Sequence, residues 1–221
     1  MALIDREARR GRALTGLLLI AGALVANVAF AALGVVFDYP DVLQHPAGEI
    51  LARFHSDALL IGGLFLLLAV GAGLLAPIAV RLSRLAGPGR VARAAAVVGV
   101  AAAAVQVVGL LRWPLVVPFL AGSAGAVETF ETLHTVLGKV VGESVGYTLT
   151  AAWTVLIVVA TRRAGLIGRG SAVLGFLSAP MILAGLLVPL GVPGADLTNF
   201  VGYVVWSLWL VVSGVGLIRG R

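Results

Sequence analysis

Six long apolar stretches dominate this chain: roughly Ala13–Phe37, Ala58–Val80, Val91–Leu111, Val140–Ala160, Ser171–Leu190 and Leu197–Ile218. Each reaches the roughly 20 residues that a helix needs to cross the hydrocarbon core of a bilayer. The strands of a membrane barrel would alternate polar and apolar residues, and these runs do not. With 60% of its residues hydrophobic and 12% charged, a soluble fold of 221 residues would have too little polar surface to face water. The 29 glycines agree, because small residues let membrane helices approach closely. The fold class expected is all-α, a polytopic membrane bundle of about six transmembrane helices in three hairpins, forming one domain over residues 1–221.

Charge sets the expected orientation. Arg6, Arg9, Arg10 and Arg12 precede the first run, and Arg81, Arg84, Arg90 and Arg93 surround the loop between the second and third. Arg162, Arg163 and Arg169 lie between the fourth and fifth, and Arg219 and Arg221 close the chain. All but three of the 16 Lys and Arg therefore fall at one side of a six-span arrangement. The positive-inside rule places both termini in the cytoplasm, N-in and C-in. The net charge of +6 is then a topology signal and a contact with anionic lipid headgroups, and it calls for no nucleic acid. The first run is about 25 residues long, beyond a signal-peptide core, and reads as a retained helix. The absence of cysteine excludes disulfides, thiolate metal ligands and cysteine nucleophiles.

The opposite, outer side gathers the ionisable residues. Asp38, Asp41, Glu49, Asp57, Glu128, Glu131, Glu143 and Asp196 lie there, as do His45, His55 and His134 and the remaining cations Arg53, Arg112 and Lys139. Ionisable groups at a bilayer boundary are costly unless they pair or meet water, so this cluster is the expected functional region. Glu49, Arg53 and Asp57 recur at i, i+4 and i+8, which allows a ladder of ion pairs on one helix face. Arg112 either snorkels to the interface or pairs with a carboxylate of a neighbouring span. Glu131 and His134 make a Glu-x-x-His step of the kind that points two ligands at one metal, although a full dimetal site needs two such steps. Asn199 and Tyr203 share a stripe of the last run and suit either the polar end of a ligand or a bond to a neighbouring helix. Segment 128–139 reads as an amphipathic lead-in to the fourth span. Its stripe of Glu128, Glu131, Thr132, Thr135 and Lys139 continues through Gly142, Glu143 and Gly146. Gly138, Gly142 and Gly146 form a ladder of small residues that predicts a close helix neighbour.

The segments Leu111-Arg112-Trp113-Pro114, Thr129–Trp153 and Asn199–Trp209 resemble a bacterial family of six-helix membrane proteins, domain of unknown function 4386. The resemblance implies the six-helix fold and a bacterial inner membrane. It implies no activity, cofactor or catalytic residue.

Three functional readings follow from the residues. The favoured one is an outward-facing polar pocket for a small molecule or lipid headgroup, with Glu49, Arg53, Asp57, Arg112, Glu128, Glu131, His134, Asn199 and Tyr203 as candidate ligand-binding residues. The second is a membrane-embedded metal-dependent hydrolase using Glu131 and His134 with help from His55 or His45 and with Glu128 as general base, or a haem protein with His55 and His134 as axial ligands. The third is a structural or regulatory subunit that holds a partner helix on the ladder of Gly138, Gly142 and Gly146.

Overall fold

A computed structural model of the chain describes residues 2–120 and 123–220; Met1, Ala121, Gly122 and Arg221 lie outside the described residues. Helix α1 spans Ala2–Phe37 and is followed by a 3₁₀ turn, Asp41–Gln44. Next come α2 (Ala47–Ser56), α3 (Ala58–Gly73), α4 (Leu75–Leu85) and α5 (Arg90–Leu115), then a second 3₁₀ turn, Val117–Leu120. A continuous run follows: α6 (Ala126–Leu133), a π-helical segment (His134–Val145) and α7 (Gly146–Arg163). Helix α8 (Arg169–Leu183) tightens into a 3₁₀ stretch, Ala184–Leu190, and α9 (Ala195–Arg219) completes the fold. No strand occurs among the described residues. A backbone in lipid must satisfy its polar groups internally, which favours helices.

Six of these runs are long and apolar enough to cross a membrane: Arg9–Phe37, Ala58–Leu85, Arg90–Leu120, Ala126–Arg163, Arg169–Leu190 and Ala195–Arg219. The fourth extends well beyond its apolar stretch. Its amphipathic lead-in continues without a break, as the start of a 38-residue helical run. At about 1.5 Å per residue that run far exceeds a hydrocarbon core of about 30 Å. Its first turns therefore project past the bundle, where α6 packs on α2 and on the second 3₁₀ turn.

The spans pack in chain order and the ring closes. Helix α1 contacts α3, α3 and α4 contact α5, α5 contacts α7, α7 contacts α8, α8 contacts α9, and α9 returns to α1. Glycine lies at the crossings. A Cβ on Gly16 would fall 2.5 Å from the Gly214 carbonyl oxygen, and one on Gly214 would fall 2.7 Å from that of Gly16. Such contacts matter because the hydrophobic effect gives membrane helices no reason to leave lipid for one another; close van der Waals packing does.

Two apolar cores fill the ring. One, toward the arginine-rich end, is built on Trp153, Trp209, Ile157, Leu19 and Ile78. The other, toward the acidic end, is built on Phe37, Phe54, Phe65, Trp113 and Phe130. In it Phe65 stacks on Trp113 with ring centroids 4.7 Å apart, and Phe37 meets Trp113 edge-on at 5.3 Å. Such pairs contribute about 0.5–1.5 kcal/mol each beyond area burial.

Replacing Gly214 with Leu is expected to destabilise the bundle by about 1–3 kcal/mol through overpacking against α1. Gly11→Leu, where a Cβ meets nothing within 4 Å, is expected to stay near wild type. Thermal unfolding in one detergent compares the two.

Candidate functional site

The expected outer cluster divides into two unlike parts. The first is an exposed ion-pair network around α2. Arg53 Nη2 donates to Glu49 Oε1 at 2.9 Å, His45 Nδ1 lies 3.0 Å from the same oxygen, and Arg53 Nη1 is 3.6 Å from Asp38 Oδ2. Arg53 thus ties α2 to the chain leaving α1. The ladder through Asp57 does not form. The helix breaks at Asp57, whose φ of −148° leaves the helical region, and its backbone N–H donates to the Phe54 carbonyl. Asp57 therefore starts α3 out of phase with α2 and stands exposed, as do Glu128 and Glu131. Pairs this open to water contribute little to stability, typically about 0–1 kcal/mol.

The second part is a buried polar layer between the two cores. Helix α5 supplies Gln106, Gly109 and Arg112; the π segment supplies His134, Gly138 and Glu143; α7 supplies Tyr147 and Thr150. Its geometry follows from the winding of the π segment. A π turn closes i→i+5 rather than i→i+4 and is usually a single turn, often at functional sites. Here it runs for 12 residues. The extra residue per turn rotates the expected stripe as it advances. Glu128, Glu131 and Lys139 remain exposed while Glu143 turns toward the interior, and Phe130, His134, Gly138 and Gly146 are buried. Glu131 and His134 part company already in α6, where the step between them turns Glu131 outward and His134 inward.

The glycine ladder does meet a close neighbour, α5 of the same chain. A Cβ on Gly109 would stand 2.9 Å from Gly142 Cα and 3.1 Å from the Leu137 carbonyl oxygen, while one on Gly146 would touch Gln106. The ladder is therefore covered, and the reading in which it holds a partner helix loses its surface.

This approach brings Arg112 inside. Only 5% of it is exposed, so it neither snorkels nor finds a carboxylate within ion-pair distance among the described residues. Its Nη1 donates to the Gly109 carbonyl, its guanidinium lies 5.2 Å from the Trp113 ring centroid, and Nε has no partner. His134, also buried, stacks on Phe130 at 5.8 Å and 4°, and neither of its ring nitrogens is hydrogen-bonded. The carboxylate within electrostatic reach of Arg112 is Glu143, with the Tyr39 phenol also nearby.

Around these, polar side chains bind helix to helix. Gln106 Nε2 donates to Thr150 Oγ1 at 2.8 Å, and the Tyr203 phenol approaches the same threonine. Tyr203 meets Tyr147 edge-on at 5.9 Å. Asn199 donates to the Ile182 carbonyl at 2.6 Å, just before α8 tightens into its 3₁₀ stretch, so its amide joins helices. His55 is held locally, with Nδ1 donating to the Leu51 carbonyl at 2.8 Å. A chain of aromatic contacts runs from His55 through Phe54, Trp113 and Phe130 to His134, so the two histidines belong to its opposite ends. Among the described residues no group of three or more His, Asp or Glu side chains is placed to hold a metal.

Glu143, Tyr39, Tyr147, Gln106 and Thr150 were not among the expected ligand-binding residues. The spacing that could have flagged Glu143 is its place beside Gly142 in the small-residue ladder, but only the π winding turns it inward.

Six apolar spans closed into a ring, with a polar layer between two cores, define an all-α integral membrane protein of a bilayer. Residues 14–214 match the family described as Domain of unknown function (DUF4386), and the chain belongs to that family. No curated protein and no solved structure matches the chain.

The exposed network carries a pH signature. A hydrogen bond from His45, followed by that from Arg53, holds the Glu49 carboxyl below its usual range. A lowered carboxyl pKa means that its stabilisation is present at neutral pH and is lost as pH falls through the lowered value. Acid unfolding of Glu49→Gln is expected to lose that component, so that wild type and variant differ at neutral pH and converge in acid.

Proposed function

We propose that this is a non-catalytic protein of a bacterial cytoplasmic membrane, with its arginine-rich end inside, that binds a small molecule or lipid headgroup in the polar layer around Arg112. One observation carries the reading: a cationic side chain buried in the bundle, with no carboxylate partner and with one of its donors unused. Removing a charge from water costs several kcal/mol even after relaxation, unless pairing offsets it. A carbonyl bond and a cation–π contact of about 0.5–2 kcal/mol offset only part of that. Intramembrane ionisable groups held at such cost mark ligand or ion sites.

Of the expected binding residues, Arg112, His134 and Tyr203 belong to this layer. Glu49, Arg53, Asp57, Glu128 and Glu131 form an outer rim that faces water, and Asn199 braces α9 against α8. A hydrolase reading draws no support from the donor geometry around His134, because Glu131 is exposed while His134 is buried.

Native mass spectrometry of protein released from lipid nanodiscs tests the binding reading. The wild type is expected to carry a discrete organic mass that Arg112→Gln loses; a bare wild type, or a mass retained by the variant, would overturn it. Orientation is tested separately, using the absence of native cysteine. Ser123→Cys is expected to react with a membrane-impermeant maleimide in intact cells and Ala164→Cys to be protected, and the reverse pattern would invert the topology.

A further inference from the structure

The chemistry of the occupant can be read from the edge of Arg112 that is left free. Nη1 is committed to the Gly109 carbonyl. Nε has no partner, and Nη2 is turned toward Gly138. Nε and Nη2 share one side of the guanidinium plane, where their N–H bonds run parallel. That fork matches two oxygens of one carboxylate or phosphate and has no comparable match to a neutral alcohol or an amine.

The second side of the site is His134. The position of a Cβ on Gly138 would lie 2.9 Å from Arg112 Nη2 and 3.2 Å from His134 Nδ1, so both nitrogens converge on the strip of backbone that glycine leaves bare. Neither His134 nitrogen is engaged, and one N–H of the ring is available to donate to an anion.

Charge sets the valence. The groups in electrostatic contact across this layer are Arg112 from α5, His134, Lys139 and Glu143 from the π segment, Tyr147 from α7, Tyr203 from α9 and Tyr39 from the chain after α1. Lys139 is exposed and solvated, and Glu143 lies beyond ion-pair distance of Arg112, so the buried guanidinium has no directly paired anion. A single negative charge on a ligand would pair it, whereas a second would sit in low dielectric beside Glu143. The walls set the rest of the molecule. Trp113 and Phe130 lie beside the two nitrogens, and the aromatic core continues into Phe54 and Phe65. A small inorganic anion would have to give up its hydration against these fully buried rings, whereas an amphiphile can leave its apolar body in the surrounding lipid and bring only its head to the two nitrogens.

We propose that the polar layer is a binding site for a singly charged oxyanion, a carboxylate or phosphate ester, carried on an apolar body and held by the Nε/Nη2 edge of Arg112 with His134 beside it. The proposal rests on the pocket reading above and narrows it. Glu143 acts within it as a built-in competitor that limits affinity and disfavours more highly charged ligands.

The test is calorimetric titration of the full chain in nanodiscs of neutral phosphatidylcholine with three probes of equal chain length: decanoate, decyl phosphate and decanol. The acids are expected to bind at least about tenfold more tightly than decanol, and Arg112→Lys, which keeps the charge but loses the fork, to weaken them by about tenfold or more. Glu143→Gln is expected to tighten them severalfold, a gain that misfolding cannot produce. Nanodiscs containing phosphatidylglycerol then distinguish the sources. Competition by this lipid against decanoate identifies a headgroup phosphate as the occupant, and no competition identifies a free amphiphilic acid; either supports the oxyanion site. Equal binding of decanol and decanoate, or acids indifferent to Arg112→Lys and Glu143→Gln, would overturn the oxyanion inference and leave the pocket standing. A wild type that binds none of the three probes and carries no native mass would overturn both.

Discussion

Backbone lies against backbone where Gly109 of α5 faces Gly142 of the π segment, and the polar interior depends on that contact. A Cβ on Gly109 would fall 2.9 Å from Gly142 Cα and drive the two spans apart, whereas one on Gly142 would meet Gly109 Cα at 3.6 Å, an ordinary contact. With the spans apart, Arg112 would no longer lie over Gly138, and Gln106 would no longer reach Thr150. The contact is also the point at which lipid physics is most demanding. Helices gain nothing from the hydrophobic effect by leaving lipid for one another, so the association rests on dispersion at short range and on interhelical hydrogen bonds. Similar close approaches at Gly16–Gly214 and between Gly71 and Ala26 repeat the solution around the ring.

The two groups of charges show how burial decides what a charge does. The network of Asp38, His45, Glu49 and Arg53 is fully paired and open to water, so its members hold a loop in place at little cost and with little gain. Arg112 is enclosed and has no carboxylate partner, and the desolvation of its guanidinium exceeds what a carbonyl and an indole ring return. The same residue type therefore serves as a surface tether at position 53 and as the electrostatic centre of the bundle at position 112. The aromatic core above Arg112 lowers the local dielectric and strengthens whatever interaction its free edge makes.

The membrane fold was legible because apolar length is a direct physical requirement of spanning a bilayer, and each of the six spans covers the apolar stretch that hydropathy marks, the fourth extending back to Ala126. Arg112, His134 and Tyr203 were legible as candidates because polar groups are rare in such runs. The arrangement of the site was not. A projection at 100° per residue assumes α winding, and the 12-residue π segment breaks that assumption between His134 and Val145, turning Glu143 in while leaving Glu128 and Glu131 out. The i, i+4, i+8 ladder formed only its first rung, Glu49–Arg53, because the helix breaks at Asp57 before the second. The glycine ladder was correctly read as an interface, but sequence alone does not distinguish a neighbour within the chain from one outside it. In each case the missing information was tertiary.

Cryo-electron microscopy of the protein in lipid nanodiscs, with the density around Arg112 resolved, tests the central claim most directly. The expected result is a guanidinium inside the bundle on the Gly109 carbonyl, with no protein carboxylate at ion-pair distance and with non-protein density along its Nε/Nη2 edge. An Arg112 that reaches out to the interface, or that pairs directly with Glu143, would contradict it.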